Sequence, residues 1–251
     1  MLEQQLWTAL RAAAQRRHGR SSAREWPLVS EALQKVDTAL GERTVRDVRA
    51  LIGLAQDVSL DIETRATVCW VLGRAGVRAA VETLIAVASD DAADLRIAAI
   101  NALGELGGRR AFRVLSRAAR TDPDAKVRYA AVYSLQNFDT DRCAQVLLSV
   151  FNDHGELPSI RGQAAESLAT LSRAGKRAVP ALRAALAEPS AEVRFWSVYA
   201  LGFLGTADVF KDLNQLIDDA AVVEPFGSVG EEARQAIATI RELTQGRIAG
   251  G

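Results

Sequence analysis

The stretch DLRIAAINALGELG, residues 94–107, returns almost unchanged in pattern as EVRFWSVYALGFLG at 192–205, and what they share decides the fold. Each has an arginine, small or apolar residues three and six places on, a leucine at seven and a glycine at eight. The pattern also runs through ETRATVCWVLGRAG (63–76), KVRYAAVYSLQNF (126–138) and SIRGQAAESLATL (159–171). The arginines are Arg65, Arg96, Arg128, Arg161 and Arg194, spaced by 31, 32, 33 and 33 residues, with Arg234 in a degenerate sixth copy after a gap of 40. A fixed period of this length is the signature of a repeat architecture.

Between the copies lie second apolar-periodic segments: VRDVRALIGLAQD, VRAAVETLIAVASD, AFRVLSRAART, AQVLLSVF, AVPALRAALAEP and VFKDLNQLID. Turn or cap residues close each of them. Every unit is therefore a helical hairpin too small to bury its apolar face alone, so neighbours must stack into a continuous core. Residues 43–251 are expected to form six such repeats. Residues 1–42, which depart from the pattern, are expected to form a helical cap continuous with them. DDAAVVEPFGSVGEE inserts seven extra residues into the last unit, and a loop there can serve as a lid, a cap or nothing at all.

The repeat resembles the HEAT repeat, in particular the short variety first named for bilin lyases of cyanobacterial light-harvesting complexes. That resemblance covers about residues 43–245. It implies an all-α, right-handed α-solenoid (superhelix) of HEAT-like hairpins, with the second helix of each hairpin lining a concave groove. It is specific for fold and says little of activity, because the architecture serves many unrelated functions.

With each arginine at zero and 100° per residue, positions +3, +6, +7 and +10 cluster between about 240° and 340° and form the packed stripe. Positions −2, +1, +5 and +9 fall at about 100° to 180°, on the opposite face. There the chain places Trp70 and Arg74; Asn101 and Glu105; Tyr129, Tyr133 and Asn137; Glu166; and Phe195, Tyr199 and Phe203. All three tyrosines of the protein are in this set, in a chain that is only 6% aromatic. Gly162 and Glu166 are expected to leave a notch between two aromatic walls. Trp196, near 200°, is expected to wedge between helices. The repeated arginines are read as structural ties between units, with Asp61, Asp91, Asp124 and Glu192 as partners or helix caps.

Function classes are narrowed by what the chain contains. Its 31 basic and 31 acidic residues cancel, so no global field gathers nucleic acid or an anionic membrane. Two isolated cysteines, Cys69 and Cys143, suggest no disulfide framework or zinc site. The two histidines, His18 and His154, rule out the repeated His-Glu ligation of a di-iron hydroxylase, and no metal or cofactor is expected. No nucleophile, phosphate-loop or zinc-protease motif is present. A cytoplasmic, non-enzymatic scaffold that binds a protein segment or peptide in its concave groove is the reading these residues favour. The alternatives are a bilin lyase or isomerase-like protein holding a linear tetrapyrrole in the aromatic groove, and a HEAT-like DNA glycosylase, which the sparse basic residues of that face disfavour.

Overall fold

A computed structural model describes residues 45–249, and the cap expected at 1–42 lies outside them. Helices α1 (Val45–Leu54) and α2 (Ile62–Arg74) form the first hairpin, α3 (Val81–Val87) and α4 (Ala93–Leu106) the second. Then come α5 (Gly108–Thr121) with α6 (Ala125–Leu135), and α7 (Asp141–Phe151) with α8 (Pro158–Thr170). The short α9 (Ser172–Gly175) and α10 (Val179–Ala184) precede α11 (Ala191–Leu204), and α12 (Phe210–Asn214) precedes α13 (Val229–Ala249). Between α12 and α13 the inserted segment forms an antiparallel ribbon of β1 (Val222–Val223) and β2 (Gly227–Ser228), in which Val222 pairs with Ser228 and Val223 with Gly227. The chain is thus an all-α fold of repeated HEAT-like hairpins of the solenoid type. Its contacts divide it into two compact units, with the boundary within α5 between Ala118 and Ala119.

Local chemistry sets the helix ends. The Asp61 carboxylate accepts from the Thr64 amide at 2.8 Å, Asp124 from that of Lys126 at 2.7 Å and the Thr140 hydroxyl from that of Cys143 at 3.1 Å. Pro158 opens α8, where its missing N–H costs nothing. Gly76 and Gly107, at φ of 63° and 68°, turn the chain out of α2 and α4 in a conformation that favours glycine.

In the first unit α2 packs along α4, and in the second α6, α8, α11 and α13 pack in that order. The +3, +6 and +7 positions of all five clear copies are buried. Position +8 governs how closely neighbouring inner helices approach. A Cβ on Gly73 would lie 2.7 Å from the Ala102 Cα, and one on Gly202 would lie 3.1 Å from the Ala236 Cα. Cys69 and Cys143 are both buried. Cys143 donates its S–H to the Leu135 carbonyl at 3.1 Å, and burial pushes its thiol up to about 12.

The repeated arginines tie units together, but through partners other than those expected. Arg65 meets Asp90 at 3.0 Å, Arg128 meets Glu156 at 2.6 Å, Arg161 meets Glu188 at 2.6 Å and Arg194 meets Asp219 at 2.9 Å. Each of these acids sits in the loop before the next inner helix. Side chains of a helix lean toward its N-terminus, so the guanidinium arrives at the level of that loop. Each arginine also donates to backbone carbonyls on its N-terminal side, at the end of the preceding helix or in the loop before its own. Arg161 bonds Phe151 at 2.8 Å, Arg194 bonds Glu188 and Pro189 at 2.8 and 2.9 Å, and Arg96 bonds Asp90 and Asp91 at 3.0 Å. Of the acids expected as partners, Asp61 and Asp124 cap helices, Asp91 offers its carbonyl, and Glu192 pairs with none of the described residues. The Arg128 hydrogen bonds hold the Glu156 carboxyl below its ordinary range, and those of Arg161 do the same for Glu188.

A candidate partner-binding face on the second unit

The open face of the inner helices is narrower than the helical wheel predicts. At +1, Ala66, Gly162 and Phe195 are buried, and Phe195 is only 3% exposed. This corrects the expectation that Phe195 faces a groove. In the second unit α8 and α11 each have inner helices on both flanks, and there the 100° direction points into a seam between them. Positions −1, +2 and +4 are likewise buried in nearly every copy, leaving −2, +5 and +9 open, together with Tyr129 at +1 of α6.

The expected notch at Gly162 is also filled. The Trp196 indole lies over Gly162, so closely that a Cβ there would be 2.5 Å from its Cδ1. Trp196 is the wedge its register predicts, between α11 and α8. It is also the centre of a ladder of rings along α11. Phe203 stacks at 5.0 Å on Tyr199, Tyr199 meets Trp196 edge-on at 5.4 Å, and Trp196 meets Phe195 at 5.2 Å.

Phe226 joins this ladder from the β1–β2 turn, 4.9 Å from Trp196 and 6.1 Å from Phe195. Sequence reasoning missed it, because it lies in a segment without helical register. The one available signal is an aromatic beside a glycine in a seven-residue insertion. The ribbon is held by Asp219, which receives Arg194 and the Ala221 amide on its carboxylate and the Gly230 amide on its carbonyl. Gly227, at φ 118°, closes the turn in a backbone conformation denied to other residues.

The open part of the face carries Tyr129 and Tyr133 from α6, Glu166 from α8, Tyr199 and Phe203 from α11, and Phe226. Tyr133 is 51% exposed, Tyr129 42%, Phe203 47% and Phe226 58%, whereas Tyr199 and Glu166 are half-buried. Tyr and Phe in this exposed state contribute large area at little cost in side-chain entropy when a partner covers them. Glu166 accepts from Gln163 Nε2 at 2.9 Å, which fixes its carboxylate. Burial, then the charges of Glu166 and Glu192, push the Tyr129 phenol above its ordinary range. Burial, Glu166 and Glu232 do the same to Tyr199. Glu166 is carried by α8, the helix that packs between those of the two phenols. Burial alone raises Glu192 and Glu232.

The other expected residues are placed elsewhere or otherwise engaged. Trp70, Arg74, Asn101 and Glu105 belong to the first unit, where Arg74 and Glu105 form an ion pair at 3.6 Å across α2 and α4. Asn137 is exposed just past the end of α6. Among the described residues no group of three His, Cys, Asp or Glu side chains is placed to hold a metal ion, and no helix is long and apolar enough to cross a membrane.

Stacked hairpins with arginine ties and close-packing small residues define a helical-repeat solenoid. Residues 48–136 and 144–224 match the family model described as HEAT repeats, and 127–153 match that of the PBS lyase HEAT-like repeat. The chain belongs to the HEAT-repeat family. No curated protein matches it in sequence. Among solved structures it resembles the complex of CpcE and CpcF of phycocyanin lyase from Nostoc sp. PCC7120, at 24% identity and a TM-score of 0.54, over 76% of this chain and 75% of that one. It also resembles YibA of E. coli, at 19% identity and a TM-score of 0.57, over 92% and 80%. An engineered protein matches at 19% identity and a TM-score of 0.52, over 78% and 97%. At these identities the likeness is one of fold.

Proposed function

We propose that the protein is a non-enzymatic scaffold that binds a protein segment on the open aromatic face of its second unit. The observation that carries this reading is the exposure of Tyr129, Tyr133, Phe203 and Phe226 on a face whose helices are already packed through other residues. A core explanation is thereby removed for these four, while it holds for Phe195. Contiguous exposed rings flanked by polar groups are what interaction sites present. The test is selection of peptides from a random display library on the purified protein. Peptides that bind the wild type should be lost by the double substitution Tyr133→Ala and Phe203→Ala, with an unchanged melting temperature. If melting falls by many degrees instead, the rings are packing and the reading is wrong.

A second reading has one specific support: the segment matching the PBS lyase HEAT-like repeat, 127–153, contains Tyr129 and Tyr133. On that reading the face holds a linear tetrapyrrole. A visible absorption band induced by added bilin, and lost in the same double variant, would favour it over a peptide.

A further inference from the structure

The aromatic face carries a charge pattern that specifies its occupant. Glu166, Glu192 and Glu232 lie on three successive inner helices, α8, α11 and α13, and among the described residues none has an ion-pair partner, whereas the repeated arginines nearby are each committed to another acid. Among the described residues Glu192 and Glu232 have no hydrogen-bond donor either. After burial, the charges of Glu166 on α8 and Glu192 on α11 add to the raising of the Tyr129 phenol on α6. Glu166 at +5 of α8 shares the register of Tyr133 on α6 and Tyr199 on α11, the inner helices packed on either side of it, and Glu192 and Glu232 hold the −2 position of α11 and α13. Exposed or half-exposed rings and carboxylates therefore occupy the open register of successive inner helices on one face. Lys126, exposed on the same arc of α6, is the single basic residue that the described inner-helix register adds to it.

An anionic, partly desolvated carboxylate without a cation is costly to retain, and a cation supplied from outside relieves that cost. The ring faces beside it attract the same charge through their quadrupoles. Neutral or acidic ligands gain neither contribution. Arginine fits best, because its planar guanidinium stacks on a ring while bonding a carboxylate in its plane.

We propose that the partner is a basic protein segment whose arginine or lysine side chains lie against Tyr129 and Tyr199, with Glu166 shared between them and Glu192 and Glu232 at the outer positions. This rests on the scaffold reading above and names the chemistry of its ligand.

The experiment is the same random-peptide selection, run in parallel on the wild type, on the Tyr133→Ala/Phe203→Ala variant and on Glu166→Gln/Glu192→Gln/Glu232→Gln. Peptides that depend on the rings should be enriched in arginine and lysine. Selected peptides, made with a fluorescent label and titrated by anisotropy, should bind the triple glutamine variant at least tenfold more weakly, and citrulline in place of arginine should lose as much. Ring-dependent peptides of neutral or acidic composition, or basic ones indifferent to the glutamines, would overturn the basic-segment inference and leave the scaffold intact. The absence of any ring-dependent peptide would overturn both. Self-association of the free chain that disappears in the triple variant would give the surface to a second copy and likewise overturn the inference. Thermal melts of the triple variant control for folding, and it should melt no lower than the wild type at neutral pH.

Discussion

Gly162 is the residue on which the aromatic face turns, since only a missing side chain lets the Trp196 indole come this close to α8. Gly162→Ala puts a methyl 2.5 Å from the indole Cδ1, which no ring contact accommodates. The indole must lift, and with it the rings of Tyr199 and Phe226 that touch it. Overpacking of this kind costs about 1–3 kcal/mol, against about 1 kcal/mol gained from replacing a helical glycine. The variant is expected to melt lower and to shift the tryptophan emission; an unshifted spectrum and an equal or higher melting point would mean the indole does not rest there. Glu232 permits a prediction of opposite sign. Its carboxyl titrates above the ordinary range because burial disfavours the charge. A carboxyl raised in the folded state contributes its stability below the unfolded pKa and loses it as pH rises through the folded one. Glu232→Gln cannot ionise, so it should melt above the wild type at pH 7 and no higher at pH 4. Melting curves at the two pH values check this. A loss of stability at pH 7 would show the carboxylate to be held by a favourable contact. Such a gain on removing a charge is the usual mark of a residue kept for binding instead of folding.

The inner helix is where the sequence reads well and then stops reading. Arginine, +3, +6 and +7 recur at fixed spacing, so hairpins, packed stripe and all-α class follow from periodicity alone, and the structure buries every one of those positions. The opposite face does not follow in the same way. A wheel treats a helix as resting on one neighbour, but α8 and α11 each touch their hairpin mate and an inner helix on either side. The buried arc therefore extends through −1, +2 and +4 to +1, and Phe195 falls inside it where Tyr199 and Phe203 do not. The near absence of polar residues at +3 and +4 was a sign of this, since a helix apolar on most sides is surrounded on most sides. The arginine partners were unreadable for a related reason. They lie 25 to 28 residues ahead, in loops whose approach depends on stacking, while the acids near in sequence serve as caps. Phe226 belongs to an insertion, and no period locates a ring that reaches its site through a β-turn.

At the scale of the whole chain, stability in a repeat protein is approximately a sum of intrinsic repeat terms and nearest-neighbour interfaces. The arginine ties are the polar part of those interfaces, and Arg161 is the most enclosed of those in the second unit. It holds the last carbonyl of α7, stacks 5.8 Å over the Phe151 ring and pairs with Glu188 before α11. Arg161→Ala removes one partner of a largely buried pair and strands both the Phe151 carbonyl and the Glu188 carboxylate. Breaking such a pair costs about 3 kcal/mol. Nearest-neighbour energetics place that loss locally. Amide hydrogen exchange should quicken in α7, α8, α10 and α11, while α2 and α4, in the first unit with their own Arg65–Asp90 tie, keep wild-type protection. Equal loss of protection in both units would show that the chain unfolds as one cooperative body, and that a pairwise account of the arginines understates what each of them supports.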